Sequence, residues 1–92
     1  MRYFKFFWNE NRGDKYSDWG NSTWYHEVDE EFYAIRQLTI YDNGNITKYD
    51  LEHLDDEFGL LAEGVLEIGS ESEEISKEEF EAVWTSYIAI NN

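Results

Sequence analysis

The chain has 92 residues, a formal net charge of −14, no cysteine and no proline. Disulfides and thiolate metal sites are excluded, and direct binding to nucleic-acid phosphates, which takes a basic surface, is not expected. An aromatic content of 18% argues for a packed core rather than an acidic disordered tail.

This length suits a single domain spanning 1–92. Its charge is unevenly placed. Residues 1–48 hold six basic against eight acidic residues, whereas 49–92 hold one against thirteen. A compact domain with that much charge of one sign repels itself. Plain solubility accounts for some of it, and a strongly positive partner is the functional reason that fits. The opening Arg2-Tyr3-Phe4-Lys5-Phe6-Phe7-Trp8 alternates charge and ring and lacks the apolar centre of a signal peptide. No stretch approaches the ~20 apolar residues of a membrane span. A cytoplasmic protein with no membrane partner is expected.

Residues 2–8 read as a strand, with Phe4, Phe6 and Trp8 expected on the core side and Tyr3, Lys5 and Phe7 on the other. Residues 9–22 are polar, hold Gly13 and Gly20, and read as a long loop. Trp19 within it either packs back or meets a partner. Residues 23–28 form a second strand, and Asp29-Glu30-Glu31 turns the chain. Residues 32–41 form the clearest strand, with Phe32, Ala34, Leu38 and Ile40 on one face. Arg36 falls on that apolar face, where a buried ion pair with Asp or Glu is expected. Asn43-Gly44 predicts a type I′ hairpin turn, with both residues at positive φ and 46–49 returning antiparallel.

Leu51, Leu54, Phe58 and Leu61 are spaced for a short helix, which Asp55, Asp56 and Gly59 weaken. Residues 65–68 read as a short edge strand and 69–74 as a solvated linker. Ser76 is the expected N-cap of a final helix, with Glu79 completing a capping box and Ile75 and Phe80 a hydrophobic staple. Phe80, Val83, Trp84, Tyr87 and Ile88 then mark one buried face. The fold class is α+β: an antiparallel sheet of about four to five strands with a C-terminal amphipathic helix packed on one face.

Chemistry is sparse. The two histidines, His26 and His53, lie in no nucleophile motif, and His26 is expected to point out of its strand. Asp42-Asn43-Gly44-Asn45 resembles a calcium loop only superficially, because the alternate positions before the glycine are Thr39, Tyr41 and Asn43, which do not supply the carboxylate pattern of an EF-hand. Asp55, Asp56 and Glu57 could at most form a diffuse cation site. No catalytic residue, metal site or cofactor is expected, and the chain does not read as an enzyme.

The surface carries the functional signal. Asp29, Glu30 and Glu31 form one acidic cluster, with Glu27 before them. Asp50, Glu52, Asp55, Asp56 and Glu57 form a second, and Glu71, Glu73 and Glu74 a third. Such clusters steer and hold a cationic partner. Trp19, Trp24, Tyr25 and Tyr49 are candidate aromatic anchors beside them.

The opening 2–8 segment, the central Tyr25–Arg36 segment, the 38–49 hairpin and the closing Glu-Ile-Ser-Lys-Glu-Glu-Phe-Glu-Ala-Val-Trp at 74–84 resemble a family of small acidic bacterial proteins of unknown function. The 9–22 segment departs from that pattern in holding no proline. In character such proteins are similar to immunity proteins of contact-dependent inhibition and other polymorphic toxin systems. By analogy the resemblance implies an antitoxin-like protein that neutralises a cationic protein toxin, a nuclease domain, and self-repulsion of the charge favours a monomer that binds it in a 1:1 complex. It brings no family site residues with it. Alternatives are a nucleic-acid mimic or adaptor that regulates a DNA-binding protein, and a small ligand-binding domain or enzyme around Arg36.

Overall fold

The computed structural model describes residues 1–91. Strand β1 (Arg2–Trp8) pairs along its whole length with β2 (Ser22–Val28), joined by a loop that holds a 3-10 turn at Ser17–Trp19. β2 pairs with β3 (Ala34–Tyr41), and β3 with β4 (Ile46–Asp50). A two-stranded hairpin follows, β5 (Asp55–Asp56) with β6 (Gly59–Leu60). β7 (Glu73–Ile75) then returns beside β1 and leads into helix α1 (Lys77–Ser86). The main sheet has five antiparallel strands in the order β4-β3-β2-β1-β7. The α+β architecture therefore stands as expected.

Both faces of this sheet are covered. On one, α1 lies over Tyr3, Tyr25, Leu38, Ile46 and Ile75, with Phe80 at the centre and Val83 and Trp84 alongside. On the other, the 51–66 segment brings Leu61 and Ala62 against Ala34 and Tyr49. Two covers explain why β1 departs from the expected facing. Tyr3 points under the helix, whereas Phe4, Phe6 and Trp8 line the opposite face. There Phe4 meets Phe32, and Phe6 and Trp8 flank Trp24.

A β-bulge decides the facing of β3. Glu27 stands opposite Arg36 while Val28 stands opposite Ala34, so Ile35 is an extra residue in β3. Because strand side chains alternate, one extra residue transfers Ala34 to the far face. Phe32 precedes the strand with φ +68°. The expected row of Phe32, Ala34, Leu38 and Ile40 is thereby broken, and only Leu38 and Ile40 remain under the helix with Arg36.

The β3–β4 turn also differs from the expected type. Gly44 has φ +92°, and Asn43 is not at positive φ. Gly44 N–H donates to Tyr41 C=O at 2.9 Å and Tyr41 N–H to Asn45 C=O at 2.9 Å. This is a three-residue connection with glycine in the left-handed position.

No helix forms over 51–61. Asp50 Oδ1 accepts the N–H groups of Glu52 and His53, both at 2.9 Å, and Asp56 Oδ1 accepts that of Phe58 at 2.8 Å. Side-chain acceptors of this kind compete with helical bonding, and here they win. Residues 65–68 contribute only a single bridge, Tyr33 to Val65, rather than a strand. The supposed linker instead supplies β7, the outer strand.

Helix α1 starts at the expected N-cap: Ser76 Oγ accepts Glu79 N–H at 3.1 Å, and Ile75 is buried in the core, while the return bond from the Glu79 side chain that would complete a capping box is not found among the described residues. It ends at Ser86, earlier than the apolar spacing suggests. Tyr87 is extended, and Ile88 is 88% exposed. The reason lies outside the helix. Lys48 Nζ donates to the carbonyls of Trp84 and Tyr87 at 2.7 and 2.6 Å, a cation at the negative helix end. The chain then runs along β4, where Ala89 is buried in place of Ile88.

Candidate functional site

The acidic clusters do not form one face. Asp29 Oδ1 accepts the N–H groups of Glu31 and Tyr33, which fixes the β2–β3 turn and leaves Glu30 and Glu31 exposed. The ladder sets Val28, Ala34 and Asp50 at the same end of the sheet. The 29–31 turn therefore shares a rim with Asp50 and the exposed Glu52. Asp55 and Glu57 are exposed on the small hairpin. The third cluster runs along the outer edge instead: Glu73 lies opposite Lys5, and Glu71 lies beside Phe6–Asn9, toward the far end of β1. Exposed Asp14, Asp18 and Asp42 extend the negative surface further.

Asp29 and Asp50 bind only backbone N–H groups of their own turns, whereas two other expected contact acids, Glu74 and Asp56, are engaged by side chains of the fold. Glu74 binds the Arg2 guanidinium through both oxygens, at 2.9 and 3.0 Å. Asp56 is a structural hub, accepting from Tyr49 Oη at 2.6 Å, Asn91 Nδ2 at 2.9 Å and Phe58 N–H, with His53 Nε2 at 2.8 Å. Burial opposes its ionisation, but these bonds outweigh burial and lower its pKa to about 2. The same burial, with the carboxylate beside it, pushes the Tyr49 phenol up. Among the described residues, no group of three or more His, Asp or Glu is placed to hold a metal ion.

Trp19, Tyr25 and Tyr49 are buried and present no surface to a partner. Trp19 packs edge-on to Tyr41 at 5.0 Å, and the Arg12 guanidinium lies 5.5 Å from its ring centre. Trp24 is half-buried in the aromatic row on the far face. Phe7, which sequence reasoning passed over, is the large aromatic that stands out of β1, 53% exposed. Strand parity sets it with Tyr3 and Lys5, away from Phe4, Phe6 and Trp8, but Tyr3 is buried under the helix and parity alone does not separate the two.

Most of the basic residues are used internally. Arg36 donates to Glu27 at 2.7 and 3.1 Å and to Glu81 at 2.8 Å, with the rings of Phe80 and Trp84 about its guanidinium at 4.9 and 5.0 Å. Arg36 forms the expected ion pair with a carboxylate, but the pair is only partly buried: Glu27 is buried, whereas Arg36 and Glu81 are half-buried. The Arg36 bond holds the Glu27 carboxyl below the usual range, assisted by Tyr3 Oη at 3.0 Å. Arg2 pairs with Glu74, Arg12 with Asp14, and Lys48 caps the helix. Lys5, Lys15 and Lys77 make no ion pair among the described residues.

His26 does not point outward. It is 3% exposed, stacks on Trp24 with ring centres 6.0 Å apart, and lies 3.2 Å from Gln37 Oε1. That amide is oriented by its other bonds, since Gln37 Nε2 donates to Leu60 C=O and Oε1 accepts Ala62 N–H. His26 Nε2 must therefore donate. Burial lowers its pKa to about 4, so the ring is neutral at pH 7.

Compared with known proteins, the chain matches no family model, no curated protein and no solved structure. Among the described residues, no helix is long and apolar enough to cross a membrane.

Proposed function

We propose that this chain is a non-enzymatic inhibitor of the immunity type, which binds a cationic protein toxin, a nuclease domain, in a 1:1 complex in the cytoplasm. The observation that carries this reading is where the cations go. Arg2, Arg12, Arg36 and Lys48 are all bound to groups of the fold itself. Glu30, Glu31, Glu52, Asp55 and Glu57 remain exposed and outside the ion pairs found. Their field draws toxin Lys and Arg that otherwise hold nucleic-acid phosphate, and it raises the rate of encounter.

The test is protection. A basic nuclease toxin domain, taken from the genomic neighbourhood where one is encoded there, is expressed with and without the chain, and binding of the purified pair is measured against salt. Rescue of growth is expected, with affinity falling about tenfold or more between low and high salt. Failure to rescue, or an affinity indifferent to salt, overturns the reading.

A further inference from the structure

We infer that the toxin-side contact includes strand addition: an extended cationic segment of the partner pairs with the open edge of β1 at Phe6–Trp8. The inference rests on the function proposed above and names how the partner is held.

The two outer flanks of the sheet are finished differently. Along β4, the C-terminal tail closes the edge. Ile90 N–H donates to Ile46 C=O at 2.8 Å, and the Asn91 side chain bonds both the N–H and the C=O of Lys48. Along β1, the outer partner β7 covers only Tyr3, Phe4 and Lys5, whereas β2 covers Arg2 through Trp8. The ladder stops because Ser72 N–H turns back to Gly69 C=O at 3.1 Å, which carries the chain away before it reaches Phe6.

In an antiparallel strand, alternate residues direct N–H and C=O to the same flank. Among the described residues, no strand lies beside the Phe6–Trp8 stretch on this flank, so its backbone groups there offer the usual template for an added chain. The stretch itself carries no proline, no lysine and no bulge, three of the devices that keep an edge from pairing.

A cleft of about 330 Å³ lies against this edge, lined by Phe6, Phe7, Trp8, Asn9 and Glu71. On the far face, Phe6, Trp8, Trp24, His26, Ala62 and Leu66 line a second apolar hollow of about 320 Å³. An added strand places alternate side chains toward Phe7 on one face and toward this hollow on the other. Exposed Glu71 and Glu73 border the edge, so the incoming segment is cationic with apolar residues interleaved. A second copy of this chain is a poor occupant, because each copy carries −14.

The experiment uses the full chain and a synthetic probe, the acetylated, amidated peptide Lys-Val-Lys-Val-Lys-Val-Lys, with a control in which the central valine is proline. Amide shifts and hydrogen exchange are followed by NMR at low salt. Saturable shifts centred on Phe6–Trp8, slowed exchange there, and binding about tenfold weaker for the proline peptide and for Glu71→Lys are the expected results. A lack of saturable shifts at Phe6–Trp8, or equal binding of both peptides, overturns the inference. The toxin itself separates the two ideas. If it binds and protects but its shifts map to Glu30, Glu31 and Glu52 and spare Phe6–Trp8, strand addition fails and the function stands. If the chain gives no protection at all, the function fails whatever the peptides do.

Discussion

The side-chain amide of Asn91 stands in for a neighbouring strand at Lys48. Its Oδ1 accepts the Lys48 N–H at 3.0 Å and its Nδ2 donates to the Lys48 C=O at 2.9 Å. The same Nδ2 reaches Asp56 Oδ2 at 2.9 Å, which ties the β4 edge to the small hairpin. Backbone groups at a sheet edge need partners or water, and here one side chain supplies both partners at once.

Replacing Asn91 with Ala removes these bonds without enlarging a core cavity. A loss of about 1–2 kcal/mol is expected, read as a lower urea midpoint with unchanged slope. Exchange at the Lys48 amide should quicken with it. An unchanged midpoint would mean that the tail does not clip the edge.

Lys48 holds two carbonyls at the end of α1 while its ammonium lies 5.3 Å from the Trp84 ring centre. Lys48→Met keeps much of the stem and deletes the cap. The expected cost is about 1–2 kcal/mol, with fraying confined to the last turn of the helix. Uniform loss of protection across the helix would speak against a local cap.

Arg36→Met leaves Glu27 largely buried and without its guanidinium. Stability should fall by about 3 kcal/mol, most of it from the stranded carboxylate. The double variant Arg36→Met with Glu27→Gln should recover a large part of this, since Gln still accepts from Tyr3 Oη and carries no charge. A double variant no better than the single would show that the loss comes from packing against Phe80 and Trp84.

Acid should weaken the fold in two steps. His26 has its pKa lowered to about 4 from an ordinary 6.5 by burial. Between those values the unfolded chain binds more protons than the folded one, so stability is complete above about pH 6.5 and falls as pH drops toward 4, by about 3 kcal/mol. Glu27 and Asp56 act lower down. Their folded pKa values lie below the ordinary carboxylate range, and that of Asp56 is about 2. Their contribution is present above about pH 4 and is lost as pH falls toward 2. Urea melts from pH 7 to 3 follow both steps, and His26→Gln should flatten the first while leaving the second. A stability independent of pH between 7 and 4.5 would contradict the buried neutral ring.

The local elements with their own chemical signals were legible. Ser76, Ile75 and Phe80 define the start of α1, and the structure keeps all three roles. Asn43-Gly44 announced a reversal, and only the turn type differed, because one glycine in the left-handed position suffices for a three-residue connection. Arg36 on an apolar strand needed a carboxylate, and Glu27 and Glu81 supply it. The candidate site was much less legible. Acids that look alike in the chain divide into those engaged by Asn91, Tyr49 or Arg2 and those left in solvent, and nothing in their spacing separates them.

The sequence by itself determined the class of fold, the approximate places of its longer strands and its helix start, and the large negative charge, because these follow from periodicity, capping and composition within short windows. Tertiary structure alone decided which face each strand presents, since one extra residue at Ile35 reverses Ala34, and where the helix stops, since Lys48 reaches it from another strand. It also decided that β7 begins only at Glu73, opposite Lys5, while β1 continues to Trp8. Strand pairing joins residues some seventy positions apart, and a window along the chain contains no record of that distance.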